Sequence, residues 1–292
     1  MKNSITFPLI TLLAIFIISC EKTEAPMALF DYQIDGTKVQ FTNYSTDATT
    51  YHWDFGDGNT STEENPLHEY AESGNYIITL TATGEGGSKT IKEMLKIQKP
   101  ALIQVDGNFA DWVAVPNDQL ASSVSAAGAS LTALHEMKAT ADDNYIYIYL
   151  VYDQSNVAPI DIFMNTDGNP MTGGNSWLWD PCGADFLIEG FVTSNMEDAT
   201  VFNWPADLPQ DGWEWVEVLG GGSGIVKMSD PKTISGSIVE TEMSIIKEMI
   251  PGALSSEIGI GIFSSNDDWA ETGSLPNNAD GSQAPLMKLK IQ

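Results

Sequence analysis

Side chains able to do chemistry are concentrated in one run, "NTDGNPMTGGNSWLWDPCGAD", Asn165 to Asp185, which joins acids, amides, glycines and two tryptophans. Asn165, Asp167 and Asn169 place oxygen-bearing side chains at i, i+2 and i+4. A bent loop could turn all three toward one hard cation, for which Ca²⁺ is the fitting ion, with Asp161, Asp180 or Asp185 as further donors. The run is not an EF-hand: Gly168 takes the fourth place, Pro170 stands where the turn glycine belongs, and no glutamate closes the loop. The same residue types are what a hairpin needs for its own turns, so both readings stand here.

Trp177 and Trp179 are i, i+2 partners, and in an extended segment they project the same way, ~7 Å apart. Trp213 and Trp215 in "DGWEWVEV" repeat the arrangement, with Trp204 nearby and Trp269 in "NDDWAETG". An indole covers the apolar face of a pyranose ring, while acids and amides beside it bond the polar rim. Trp177, Trp179, Trp213, Trp215 and Trp269 are the candidate stacking residues. Asp185 and Glu189 are candidates to bond hydroxyls, or equally to serve the strand they sit on.

Catalysis finds little material. The only histidines are His52, His68 and His135, too few and too scattered for a Ser-His-Asp or His-rich zinc centre. A glycosidase needs just two carboxylates, but 40 acids identify no pair. Haem would need axial ligands, for which His135 with Met137 or Met164 is the one set, and nothing else supports it. The expectation is a binding protein with no catalytic residue.

Those 40 acids face 13 basic residues, all lysine, for a formal charge of −27. Such a surface repels nucleic acid and lacks the arginine fork that grips carboxylate and sulfate. A neutral glycan, such as a β-glucan, suits it better than alginate, pectin or a sulfated polymer.

Alternation with period two dominates the chain. "KVQFTN", "YHWDF" and "NYIITLTAT" read as half-buried antiparallel strands, with Gly56 to Gly58 as a tight turn. "NYIYIYLVYD" is apolar on both faces and predicts a central strand. "PIDIFMN", "ADFLIEGFV", "GSIVETEMSI", "EIGIGIFSS" and "PLMKLKIQ" supply more, and "SIIKEMIPG" predicts one short helix ended by Pro251-Gly252. The fold class is all-β: a small sandwich over 28–98, then a larger antiparallel sandwich over 99–292 with one short helix.

Four resemblances add to this. "YHWDFGDGNTSTEENPLHEYAESGNYIITLTAT" resembles a polycystic-kidney-disease (PKD) repeat, which implies an immunoglobulin-like sandwich with Trp53 in its core and His68 and Tyr70 locking a loop. Asp106-Gly107…Trp112, Ala139 to Ile148, Asp161 to Met164 and Glu242 to Ile245 resemble, in order, the family 9 carbohydrate-binding modules and their DOMON-like relatives. The family's paired binding tryptophans have no unambiguous counterpart here, because several tryptophans compete. "MKNSITFPLITLLAIFIISC" has the basic start and apolar run of a secretory leader over 1–20. Its "IISC" resembles the lipobox of bacterial lipoproteins, which implies lipidation of Cys20, and "CEKTE" resembles the export tag of surface lipoproteins in Bacteroidota. A linker follows over 21–27. With Cys20 lipidated, Cys182 has no intrachain partner and reads as a buried thiol.

Together these imply a lipid-anchored, surface-exposed outer-membrane protein that captures a polysaccharide for neighbouring transporter components of a glycan-uptake system. The other reading is an adhesion or scaffold protein that offers its tryptophan surface to a protein partner.

Overall fold

The computed structural model describes residues 24–291. The leader expected over 1–20, with Cys20, lies outside the described residues, as do the first three residues of the expected linker. The chain divides into two compact units between Lys99 and Pro100. Among the described residues both are built of strands, apart from one four-residue α-helix and two 3₁₀ turns.

The first unit has seven strands: β1 (Phe30–Asp35), β2 (Lys38–Asn43), β3 (Thr50–Asp54), β4 (Thr60–Ser61), β5 (Leu67–Glu69), β6 (Gly74–Gly84) and β7 (Gly87–Ile97). They form two sheets, β1-β2-β5 and β4-β3-β6-β7. Inward residues of both close a core of Phe30, Val39, Phe41, Trp53, Phe55, Tyr70, Ile78, Leu80, Leu95 and Ile97. Trp53 is fully buried, and its Nε1 donates to the Glu63 carbonyl at 2.9 Å, so the indole's one polar group is satisfied. His68 stacks on Phe55 at 4.1 Å and pairs with Asp57 at 2.8 Å, while the Tyr70 hydroxyl donates to the Phe55 carbonyl. These contacts pin the Gly56–Gly58 turn. Gly56 has φ +79°, and a Cβ there would come within 2.8 Å of the Ile77 backbone, so only glycine fits.

The second unit begins with helix α1 (Asp111–Ala114) and continues with β8 (Ala121–Val124), β9 (Leu134–Ala141), β10 (Tyr145–Asp153), β11 (Pro159–Asn165), β12 (Phe186–Phe191), β13 (Thr200–Asn203) and β14 (Val216–Leu219). It ends with β15 (Val226–Met228), β16 (Lys232–Ser235), β17 (Ile238–Ile246), β18 (Glu257–Ser265), β19 (Glu271–Leu275) and β20 (Met287–Lys290). One sheet runs β15-β17-β10-β9-β8 with β16 also on β17; the other runs β14-β13-β12-β11-β18-β19 with β20 also on β18. All pairings between these strands are antiparallel. The main core lies between the sheets, where Ile146, Ile148 and Leu150 of β10 share one cluster with Ile160, Ile162 and Met164 of β11.

The other face of β10 is also covered. Tyr147, Tyr149 and Val151 pack against Ile103, Val105, Trp112 and Val115 of the segment that opens the unit. Glu242 of β17 ties that segment down: fully buried, it accepts from the Asp106 and Gly107 amides at 3.0 and 2.9 Å and from Trp112 Nε1 at 3.0 Å.

The helix expected in "SIIKEMIPG" is not formed. β17 runs on through Ile246, and only Lys247–Met249 makes a 3₁₀ turn. Met243 and Ile245 pair with Ile148 and Ile146 at period two, which holds the segment extended until three residues remain before Ile250 and Pro251. The one α-helix instead carries Trp112 into the segment that covers β10.

Candidate functional site

The outer face of the β11 sheet can be built up row by row. Strand register places Glu217, Phe202, Leu187, Phe163 and Gly261 side by side across five strands. The neighbouring row on the same face, two residues along each strand, is Thr200, Glu189, Asp161, Phe263 and Ser274.

The first row is roofed over. Trp179 lies 5.2 Å from Phe163, and its Nε1 donates to the Pro276 carbonyl at 3.0 Å. Gly261 makes room for it, because a Cβ there would stand 2.8 Å from the indole. Trp179 is therefore 1% exposed. This corrects the expectation that it stacks on a ligand: the run from Trp177 to Trp179 is irregular rather than extended, so the two rings do not share a side. Trp215 is half-buried, edge-on to Phe163 at 5.9 Å and to the buried Trp204 at 5.2 Å. It braces the roof.

The second row is bordered by exposed rings. Trp213 is 51% exposed and sits 6.2 Å from Phe163 on the roof side. Trp177, 50% exposed, contacts Trp213 at 5.7 Å and stands edge-on to Phe263 at 5.8 Å. Across the row, Trp269 is 59% exposed and lies 6.4 Å from Phe191, which follows Glu189 on the same face of β12. Trp269 takes φ +62°, a conformation that is uncommon for a bulky residue, held by Asn266, whose carbonyl accepts its amide at 2.9 Å. Three half-exposed indoles thus border one strip in which Phe263 stands among Thr200, Glu189, Asp161 and Ser274.

The strip carries a carboxyl pair. Asp161 and Glu189 are register partners and share a hydrogen bond, with Asp161 only 5% exposed. Burial, then the neighbouring Glu189, pushes the Asp161 carboxyl up to about 8; burial likewise raises Glu189. Burial thus favours the protonated form of Asp161, whose Oδ1 has no partner among the described residues. A carboxyl raised on folding binds its proton more tightly in the native state, so its contribution falls as pH climbs from the unfolded value near 4 to about 8. Asp161→Asn keeps a donor for Glu189 and removes that penalty. Denaturant midpoints measured between pH 4 and 9 are expected to show a flatter pH slope for the variant, and a gain of up to about 5 kcal/mol at the alkaline end.

The remaining expected residues serve the loop itself. Asp185, offered as a hydroxyl partner, instead accepts from the Thr166 amide and hydroxyl and the Asp167 amide at 2.7, 3.0 and 3.1 Å. Burial raises its carboxyl against those bonds. That corrects its placement: it faces the loop start, not the strip. Of the three residues considered for calcium, Asn165 is buried with its amide on the Cys182 carbonyl, while Asp167 and Asn169 are exposed and accept from the Asn169 and Met171 amides. Among the described residues no three His, Cys, Asp or Glu side chains converge on one point. Cys182 is buried, and burial pushes its thiol up to about 11, the state of an inert cysteine.

Sequence reasoning missed Glu271, whose Oε1 accepts Trp177 Nε1 at 2.6 Å, and the role of Asp161. The second had a signal: an acid in the centre of "PIDIFMN", a strand buried at every position.

Comparison with known proteins bears on the first unit. Residues 24–98 match the PKD domain family. Over 91 residues the chain is 40% identical to the pre-pro-metalloprotease PrtV of Vibrio cholerae, covering 29% of this chain and 10% of that protein. Over 89 residues it is 41% identical to the collagenase ColA of Bacillus cereus, covering 30% and 9%. The crystal structure of the PKD1 domain of the Vibrio cholerae protease aligns at 39% identity over 26% of this chain and 99% of its own, with a TM-score of 0.25. A structure of carbohydrate-binding modules from the β-sandwich superfamily aligns over 85% of this chain and 99% of its own, at 13% identity and a TM-score of 0.26, too low to carry a functional conclusion. The matched segments span about a tenth of the curated relatives' length. Residues 24–98 are a PKD domain.

Proposed function

We propose that the second unit binds an uncharged polysaccharide without catalysis, laying it along the strip between Trp177 and Trp213 on one side and Trp269 on the other. The observation that carries this reading is that three indoles, each about half exposed and each on a different loop, border the same row of Thr200, Glu189, Asp161, Phe263 and Ser274. Rings that served packing alone would be covered as Trp179 and Trp204 are. The charge of −27 and the absence of arginine favour a neutral chain over an acidic one. Asp161 and Glu189 do not make a glycosidase pair. They touch each other, whereas such carboxyls stand about 5 Å or more apart to admit sugar or water. The PKD domain is a spacer in this reading, and lipidated Cys20, left at the start of the mature chain when the leader is removed, is the anchor that holds the protein at the outer-membrane surface beside a glycan transporter.

Affinity electrophoresis and calorimetry with β-glucans, xylans, mannans, alginate and pectin test the proposal. Retention by at least one neutral polymer and by neither acidic one is expected. Retention by alginate alone, in chelator, refutes it. A second reading has its own observation: Val216 and Val218 of the edge strand β14 are exposed, an apolar pair such as a protein-binding edge offers. A folded protein that binds no polymer favours that adhesion or scaffold role.

A further inference from the structure

Beside the Trp177 indole lies a cleft of about 210 Å³, lined among others by Leu131, Trp177, Glu271, Asn278, Ser282 and Gln283. Its hydrogen-bonding groups are unevenly spent. The indole N–H goes to Glu271 Oε1. The Asn278 amide donates to Ser282 Oγ and the Gln283 carbonyl at 3.2 and 3.1 Å. Gln283 Nε2 donates to the Ser176 carbonyl at 3.0 Å, and the Ser282 hydroxyl to Asp280 at 2.6 Å. Each of these groups has a protein partner, whereas the Ser130 and Ser274 hydroxyls, also in the lining, donate to no described residue. Glu271 Oε2, Gln283 Oε1 and Asn278 Oδ1 receive nothing from any described residue. No cationic side chain lines the cleft.

A site of this kind selects by what it refuses. Side-chain acceptors beside an indole suit a ring whose rim is all hydroxyl donors. A carboxylate or sulfate would face the Glu271 charge with no cationic side chain to offset it. The volume falls below the ~300 Å³ at which sites for drug-sized ligands begin, so it holds one ring rather than a length of chain. We propose that this cleft is a pocket-like subsite that takes a single non-anionic pyranose unit, a branch or terminal unit of the polysaccharide over Trp177, by accepting hydrogen bonds from its hydroxyls. The proposal rests on the polysaccharide-binding reading and narrows it to a chain that can present such a unit.

The test is NMR of the whole protein with methyl glycosides of glucose, galactose, mannose and xylose, and with methyl glucuronide. At least one neutral glycoside is expected to shift the Trp177 indole N–H and the Gln283 side-chain amide, and the glucuronide to leave both in place. Gln283→Ala removes one acceptor, and Glu271→Gln turns a free acceptor into a donor while keeping one for the indole. Each is expected to weaken the response roughly five- to tenfold. Silence of those two signals with every neutral glycoside, an equal response to the glucuronide, or undiminished binding by both cleft variants overturns the proposal. Polymer retention is read separately. If the wild type is retained while the cleft signals stay silent, only the subsite fails; if no polymer retains it, the reading of the whole face fails.

Discussion

Trp177→Ala with Trp213→Ala is expected to abolish retention on a polysaccharide that holds the wild type, a loss of at least about a hundredfold. Two adjacent rings are removed at once, and a buried aromatic contact is commonly worth about 2 kcal/mol in such interfaces. Both rings are half exposed, so their loss opens little of the interior and thermal unfolding should move by only a few degrees. Trp269→Ala, on the far side of the strip, should weaken binding more mildly, because its ring touches Phe191 rather than a second indole. Trp179→Ala gives the opposite pattern. Its ring is enclosed against Phe163 and Gly261, so about 3–5 kcal/mol of stability goes with it. A double variant that binds as well as the wild type, in affinity gels and calorimetry alike, would remove the indoles from the site.

Glu242→Ala is expected to be among the most destabilising single changes in the second unit, at roughly 3–5 kcal/mol. The carboxylate serves two backbone amides with one oxygen and the Trp112 indole with the other, all shielded from water. Deleting it strands three donors and leaves a cavity. Glu242→Gln retains one acceptor oxygen but turns an amide toward the indole N–H, so its stability should fall between the two. Denaturation followed in the whole protein checks the order. Limited proteolysis checks the mechanism, since the segment around Trp112 should become the first cut in the alanine variant. Equal stability of wild type and alanine variant would mean that the segment is held by its apolar contacts with Tyr147 and Tyr149 alone.

The strands were legible because the code that sets them is local. "NYIYIYLVYD" is apolar on both faces because both faces of β10 are covered, and alternation in "PLMKLKIQ" matches a β20 with Met287 and Leu289 inside and Lys288 and Lys290 outside. Strands with mixed faces escaped notice: β7 and β16 carry mostly exposed residues, so the apolar rhythm that marks a strand is faint in them. "SIIKEMIPG" misled for a related reason, since its apolar residues suit a helix until their partners on β10 are known. The site was legible only in part. Residue type pointed to Trp177, Trp213 and Trp269, but spacing did not separate Trp177 from Trp179, because the turn between them is set by what each ring meets on the sheet below. The Asp161–Glu189 contact and the Trp177–Glu271 bond join residues far apart in sequence, and register created them.

The three exposed indoles hang from three separate excursions of the chain: the 165–185 run, the stretch before β14, and the β18–β19 connection. The β18–β19 connection could be lengthened, shortened or exchanged without shifting a rung of the ladder underneath, whereas the 165–185 run is pinned by Trp179. The face is in effect a fixed bench with a coupled jaw, Trp177 with Trp213, and one separately mounted clamp, Trp269, and a change of preferred sugar would need only that clamp to be re-angled.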